Sequence, residues 1–166
     1  MNRPPLPIVY ISNGLAEKTA LLLNSFAENR PSEGVVYWFG IEQERSAVVT
    51  TLIVPNADTT FGSVRTSALA NSEAIRLTIG TQLVYLGQAH SHPGSSVSHS
   101  SIDDSDTFAL CDGIISVVVP WFGRYGFQLS ECGVHRYVGS RFLDVHNVHD
   151  HLRIVPGFAD LRKPKS

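Results

Sequence analysis

The feature that most limits the folds open to this chain is an apolar run of seven residues, Gly34 to Gly40 (GVVYWFG). A strand with this sequence is apolar on both faces, which is typical of a strand covered from both sides. A second run, Ser46 to Val54 (SAVVTTLIV), is rich in β-branched residues and predicts another strand of the same kind. The polar residues between the two runs, Gly40 to Arg45, predict a hairpin. We therefore expect a central sheet with other elements packed on both of its faces.

Two helices are predicted, one before these strands in the sequence and one after them. Asn13 is a candidate cap for a helix that continues to about Asn29, and Pro31 would stop it. Its apolar residues recur every three or four positions, which predicts one buried face. A second helix is predicted from Thr66 to Gly80, and its candidate core residues are Leu69, Ile75 and Leu77.

The remaining segments complete a pattern of strands interleaved with helices. Pro55 to Gly62 is predicted to be a loop, and Ser101 to Asp104 (SIDD) resembles a capping box at the start of a short helix toward Cys111. No element is assigned after Ser140. Further strands are predicted at 8–11, 83–90, 114–119, 125–129 and 134–138. This order predicts an α/β fold, a layered sandwich of one sheet with flanking helices.

Size and composition are those of one globular domain. The 166 residues are expected to form a single domain over 1–166, with its core at about 8–138 and a C-terminal extension, 140–166, that carries no recognisable motif. The net charge of −2 and the thin spread of Lys and Arg argue against a nucleic-acid partner. No apolar run has the length of a signal peptide or a membrane span, so we expect a cytoplasmic protein with no membrane partner.

The stretch from His90 to Asp104 (HSHPGSSVSHSSIDD) carries the chemistry of a metal site. Residues two apart on a strand face the same way, so His90 and His92 project from one face where their strand ends. Two histidines and one carboxylate are a suitable set for zinc, because they leave a fourth position open for water. Asp103, Asp104 and Asp106 all have suitable positions, and spacing alone leaves the choice among them open.

The same stretch resembles a known signature. His90-Ser91-His92-Pro93, followed by Ser100 and Asp103 at its spacing, resembles the JAMM motif of the JAB/MPN metallopeptidases, and the resemblance extends over about residues 8–138. It implies a cytidine-deaminase-like domain with a central mixed sheet flanked by helices. It also implies that His90, His92 and Asp103 bind one Zn²⁺ per chain, and that Ser100 stabilises an oxyanion.

The family also has a glutamate ahead of a glycine and an apolar strand. Pro31 to Gly40 resembles that segment, so the resemblance implies that Glu33 is the general base and later the general acid. On chemistry alone, Glu28, Glu42 and Glu44 are almost equally eligible.

The resemblance implies a hydrolase of the compact bacterial branch. Its expected reaction is hydrolysis, by a zinc-activated water, of the amide bond between the C-terminus of a ubiquitin-like protein, or another protein tail, and its target. Expected partners include the activating-like and conjugating-like enzymes of the same operon, as in anti-phage systems. Two alternatives remain: a peptidase that trims sulfur-carrier precursors, and a non-catalytic MPN-type scaffold subunit. Neither the sequence nor the resemblance predicts the oligomeric state.

Two other groups of residues invite a functional interpretation. His146, His149 and His151 form a histidine-rich segment that we interpret as polar surface. Trp121 and Phe122 follow Pro120 in a predicted turn, where they either contact a substrate tail or pack into the core.

Overall fold

A computed structural model describes residues 7–100, 103, 108 and 111–157. The helices are α1 (Asn13–Ser25) and α2 (Ala68–Arg76), with 3₁₀ turns at Trp121–Gly123 and Val148–Asp150. The strands are β1 (Ile8–Ser12), β2 (Val35–Gln43), β3 (Ser46–Ile53), β4 (Ala57–Thr60), β5 (Ser63–Thr66), β6 (Val84–Ser91), β7 (Ile115–Val119), β8 (Gly133–Val138), β9 (Arg141–Asp144) and β10 (Leu152–Val155).

Eight strands form one mixed sheet in the order β10-β1-β3-β2-β6-β7-β8-β9, and β4 pairs with β5 in a separate hairpin. β2 and β3 form the predicted antiparallel hairpin, while β6 and β7 run parallel. The predicted α/β class with a central mixed sheet is confirmed. Two strands, β9 and β10, come from the region after Ser140 and occupy the two edges of the sheet.

β2 is covered on both faces, as its composition predicts. Val36 and Trp38 pack in a cluster with Ala16, Ala20 and Leu23 of α1. The alternate residues of β2 pack in a second cluster on the other face, which contains Val35, Tyr37, Phe39, Ile53 and Ala74. Side chains alternate across a strand, so one apolar run supplies two cores. β3 was expected to be covered on both faces like β2, and this is wrong: its buried and exposed residues alternate, and Val48 is exposed.

The cap of the first helix lies one residue earlier than the sequence predicts. Ser12, not Asn13, is the cap, and its Oγ accepts a hydrogen bond from the backbone N–H of Leu15 at 3.3 Å. The helix ends at Ser25 rather than near Asn29. Its buried residues include Ala16, Ala20 and Leu23, which confirms a single packed face.

Three other predictions are wrong. The predicted loop 55–62 contains β4, which turns into β5. The second helix is shorter than 66–80 and packs through Ala70 and Ala74, because these small side chains lie on its sheet-facing side. Residues 125–129 form turns rather than a strand, and Gly126 has a φ of 83°. The proposed core residues of the second helix are exposed, namely Leu69, Ile75 and Leu77.

The sheet curls until β8 approaches the chain ahead of β1 and β10. Arg136 of β8 is buried, and its guanidinium donates to the carbonyl of Pro7 at 2.6 Å and to that of His151. Burial lowers the pKa of Arg136 to about 10. The side chain therefore ties together segments 129 residues apart in sequence.

Candidate metal centre

Strand pairing brings Glu33 beside the histidine pair. β2 runs antiparallel to β6, and Val35 is paired with His90, so the beginning of β2 lies at the end of β6. Ser91 strengthens this junction: its Oγ accepts from the N–H of Gly34 at 3.0 Å, and its N–H donates to the Gly34 carbonyl at 3.0 Å. A Cβ on Gly34 would lie 2.3 Å from the ring of Phe26, which explains the glycine. The junction thus joins two sequence segments that lie 57 residues apart.

His90, His92 and Asp103 converge at this end of β6. His90 Nε2 lies 3.4 Å from Asp103 Oδ1, and His92 Nε2 lies 3.5 Å from Asp103 Oδ2. One donor atom from each of the three residues lies within 4.8 Å of the others. These separations exceed those of ordinary N–H···O hydrogen bonds. They are close to the roughly 3.3 Å between ligand atoms around a tetrahedral zinc whose bonds are about 2.0–2.1 Å.

His90 has buried ring nitrogens without hydrogen-bond partners among the described residues. The residue is 1% exposed, and neither of its ring nitrogens makes a hydrogen bond with the described part of the chain. A buried polar atom without a partner carries a desolvation penalty of about 1–3 kcal/mol. A metal ion bound to Nε2 would relieve that penalty, so the donor set fits zinc on chemical and geometric grounds.

His92 is already oriented for metal binding by a backbone group. Its Nδ1 lies 2.9 Å from the carbonyl oxygen of Ser96. Since a carbonyl only accepts, the ring donates through Nδ1 and keeps the lone pair of Nε2 directed at Asp103. Nothing in the sequence pattern points to this partner, because any residue at position 96 supplies the same carbonyl.

Ser100 and Asp103 hold each other in place. The backbone N–H of Ser100 donates to Asp103 Oδ2 at 2.6 Å, and the N–H of Asp103 donates to Ser100 Oγ at 3.2 Å. This reciprocal cap uses Ser100 and Asp103. Two predictions lie mostly outside the described residues, namely the capping box at Ser101–Asp104 and the helix toward Cys111. The alternative carboxylates Asp104 and Asp106 also lie outside them. The hydroxyl of Ser100 accepts in this cap and keeps its own proton to donate.

Glu33 differs from its rivals by its burial. It is 3% exposed, and its N–H donates to the carbonyl of Thr60 at 2.8 Å, whereas Glu28, Glu42 and Glu44 are exposed. The pKa of Glu33 is raised to about 7, chiefly by burial; the charge of His92 opposes this shift and the charge of Asp103 adds to it.

The three candidate ligands have opposing pKa shifts. Burial would raise the pKa of Asp103, but contacts with His90 and His92 and the N–H of Ser100 hold it well below its usual range. Burial lowers the pKa of His90, and Asp103 offsets this only in part. Burial also acts to lower the pKa of His92, yet Asp103 and Glu33 together raise it. The site therefore holds an ionised aspartate and a neutral His90, the forms that coordinate a metal.

Two flanking segments shape the surroundings of the site. On one side, β5 of the hairpin contributes to a small pocket lined by Val35, Tyr37, Val64, Thr66, Gln88, His90 and Asp103. On the other side, the N–H of Phe122 donates to the His92 carbonyl at 2.8 Å, and that of Trp121 to the Gly94 carbonyl at 3.2 Å. Phe122 is buried and packs on Phe61, whereas Trp121 is 42% exposed. Both aromatic residues of this turn have a φ of 56°.

Comparison with known proteins relates the chain to a probable metalloprotease by sequence and to a solved structure by fold. No family model matches the sequence. The chain is 31% identical over 108 residues to a probable metalloprotease, y4jG, of Sinorhizobium fredii (strain NBRC 101917 / NGR234). The match covers 63% of this chain and 66% of that relative, just under two thirds of its length.

One solved structure shows the same fold, and a second is similar over part of it. Protein DSY2949 from Desulfitobacterium hafniense superposes with a TM-score of 0.69 at 12% identity, covering 90% of this chain and 94% of that one. A JAB1/MPN domain protein from Archaeoglobus fulgidus, AF2198, gives a TM-score of 0.47 at 19% identity, with 80% and 90% covered. The motif, its assembly in space and the similarity to a probable metalloprotease together support a metalloprotease of the JAB/MPN (JAMM) type.

The described residues hold one group of three or more His, Cys, Asp or Glu side chains able to bind a metal, namely His90, His92 and Asp103. His146, His149 and His151 form no such group within the same part of the chain. None of the helices described here is long and apolar enough to cross a membrane.

Proposed function

We propose that this protein is a zinc-dependent peptidase that hydrolyses the amide bond between the C-terminus of a ubiquitin-like protein and its target. The observation that carries the proposal is the placement of Glu33. A carboxyl group from a distant segment is buried beside His90, His92 and Asp103, and its pKa is raised to about 7. A scaffold subunit has no need of such a group.

In this proposal His90 Nε2, His92 Nε2 and one oxygen of Asp103 hold the zinc. The ion would lower the pKa of a water molecule from about 15.7 to about 7 and polarise the carbonyl of the scissile amide. The protein contributes the orientation of the ligands: Ser96 fixes the tautomer of His92, and Ser100 fixes the carboxylate of Asp103.

Glu33 is the proposed general base and acid. A buried carboxylate held beside the attacking water is placed to accept a proton and to return it. Glu33 takes the proton of the attacking water and then delivers it to the leaving amine. The hydrogen bond from its N–H to the Thr60 carbonyl fixes its backbone against the β4–β5 hairpin, so the carboxyl stays at the site.

Ser100 is the proposed oxyanion stabiliser. Its Oγ accepts from the N–H of Asp103, which fixes the oxygen and leaves the hydroxyl proton available for the substrate. A preorganised donor of this kind typically contributes about 10²–10³ in rate.

The surroundings of the site favour an extended protein tail as the substrate. The β4–β5 hairpin and the Trp121–Phe122 turn flank the end of β6 on two sides, and Trp121 is exposed there. We propose that a peptide docks by strand addition beside the β4–β5 hairpin, a common mode of recognition for extended tails. A C-terminal tail of small residues fits such an approach. We propose activating-like and conjugating-like enzymes as the partners that form the bond this protein cleaves.

The test uses two substrates with the same ubiquitin-like moiety, one joined to a lysine side chain and one fused linearly to a peptide. We expect the purified protein with one equivalent of zinc to cleave the isopeptide substrate. A chelator should stop cleavage and added zinc should restore it. Preference for the linear fusion would indicate precursor trimming instead. Stoichiometric zinc with no cleavage of either substrate would contradict the proposal.

A further inference from the structure

The loop from Gly94 to Ser100 carries two groups that the centre depends on. The Ser96 carbonyl accepts from His92 Nδ1, and Ser100 caps Asp103. Neither group is in a strand, so their positions depend on how the loop is attached to the rest of the fold. Two residues between them, Val97 and His99, are bonded to the sheet.

His135 of β8 holds Val97. The side chain is 3% exposed, and its Nε2 lies 3.1 Å from the Val97 carbonyl. Its other nitrogen, Nδ1, lies 2.8 Å from Asp144 Oδ1 on β9. Both distances are within hydrogen-bond range, and since both partners only accept, the ring makes both bonds at once when each nitrogen carries a proton. The ring is therefore fixed at one end by the sheet edge and presents its other end to the loop.

A neighbouring glycine shows that the approach of the loop is tight. A Cβ on Gly133 would lie 1.9 Å from the Val97 carbonyl oxygen and 3.0 Å from His135 Nε2. Only glycine permits this backbone to lie against β8. The contact between Val97 and β8 is thus shaped by two residues of the same strand.

The loop has a second attachment at His99. Its Nε2 lies 2.8 Å from Ser116 Oγ on β7, and its ring stacks on that of His135 with centroids 4.2 Å apart. Phe142 of β9 packs on the other part of this ring, at 4.6 Å. Side chains from β7, β8 and β9 therefore surround the loop between its two functional groups.

We propose that His135, oriented by Asp144, is a positioning residue for the metal centre: it holds the Val97 carbonyl, and through the adjacent Ser96 carbonyl it fixes the tautomer of His92. The inference rests on the proposed function only in its effect on turnover. Its effects on zinc affinity and on the His92 ring are properties of the chain alone. His135 touches neither substrate nor ligand, so its substitution acts through the loop.

A matched pair of variants separates this role from packing. The amide nitrogen of glutamine occupies roughly the place of histidine Nε2, and that of asparagine the place of Nδ1. His135→Gln therefore keeps a donor for Val97, whereas His135→Asn keeps only the contact with Asp144. Both remove the ring that packs on His99, so the difference between them reports the hydrogen bond to Val97 against the contact with Asp144. Thermal unfolding of both zinc-free variants controls for the fold.

The measurements are zinc affinity by chelator competition, turnover on the isopeptide substrate, and the His92 tautomer from imidazole ¹⁵N shifts of the zinc-free protein. We expect His135→Asn to lose about tenfold in zinc affinity, at the low end of the 10–100-fold effect of such supporting contacts. Its His92 ring should populate both tautomers. His135→Gln should stay within about threefold of wild type and keep the Nδ1–H form.

Two results would overturn the inference: both variants behave as wild type, or both are weakened equally, which would reduce His135 to packing. Failure of the proposed function looks different. In that case wild type binds zinc and cleaves neither substrate, while the affinities and tautomers still separate the asparagine and glutamine variants.

Discussion

Two pairs of histidines lie side by side in this protein and differ in the hydrogen bonding of their ring nitrogens. His90 and His92 face Asp103 at 3.4 and 3.5 Å, and His90 makes no hydrogen bond with the described residues. His99 and His135 have partners at 2.8–3.1 Å. A buried nitrogen without a partner is destabilising unless something binds it, whereas a satisfied nitrogen stabilises the fold. The first pair is arranged for a ligand and the second for structure.

The largest effect that tests this difference is loss of the metal. His92→Ala removes one of three proposed ligands, so the protein should no longer retain one equivalent of zinc after dialysis. Elemental analysis checks this, with His146→Ala as the control because that side chain is exposed and outside the centre. Stoichiometric zinc at wild-type affinity in His92→Ala would mean that the first pair is not the ligand pair.

The next largest effect separates binding from chemistry at the same site. Glu33→Gln keeps the size of the side chain and removes the base, so zinc should remain while kcat falls by about 10²–10⁴. Glu42→Gln, at the other end of β2 and exposed, is the matched control and should retain full activity. Equal activity in wild type and Glu33→Gln would transfer the role of the base to another group.

Ser100→Ala should lower kcat by about 10²–10³ through loss of the oxyanion donor. The same change removes the acceptor for the N–H of Asp103, which typically destabilises a helix start by about 1 kcal/mol. Ser100→Thr retains a hydroxyl and should recover part of the rate. If alanine and threonine variants have the same kcat, the serine acts only as a cap.

Stability without metal distinguishes the two pairs directly. In zinc-free protein, His90→Leu replaces unsatisfied buried nitrogens and should leave the free energy of unfolding unchanged or raise it. His135→Leu removes the contacts of a buried ring with Val97 and Asp144 and should lower it by about 1–3 kcal/mol. Urea unfolding in chelator measures both. A larger loss in His90→Leu than in His135→Leu would reverse the comparison.

The smallest predicted effect is the pH dependence contributed by Glu33. In the zinc-free fold its pKa is raised from 4.5 to about 7. At pH values between 4.5 and about 7, Glu33 of the folded protein holds a proton that the unfolded chain has released. The contribution of Glu33 to stability therefore falls as the pH rises through this range. We expect Glu33→Gln to gain stability over wild type between pH 5 and pH 7.5. A difference that stays constant over this range would show that Glu33 titrates normally.

Local patterns in the sequence predict much of the centre. Side-chain period and composition predict β6, which carries His90 and ends just before His92, as well as the adjoining apolar strand β7 and the two-faced strand β2. These signals are local, because alternation along a strand depends only on neighbouring residues. The motif from His90 to Asp103 is likewise short enough to be recognised along the chain.

Other features depend on contacts between distant segments. The burial of Glu33, in contrast to the exposure of Glu42, depends on the antiparallel pairing of β2 with β6. The exposure of Leu69 and Leu77 reflects a helix that packs through alanines, which no hydrophobic count along the helix reveals. The hold of His135 on Val97 joins residues 38 apart through a backbone carbonyl, and a carbonyl has no sequence signature. The proposed ligands thus lie in one short motif of the sequence. The burial of the proposed base and the supports of the loop depend on how the sheet curls, since these contacts exist only when remote backbone groups meet.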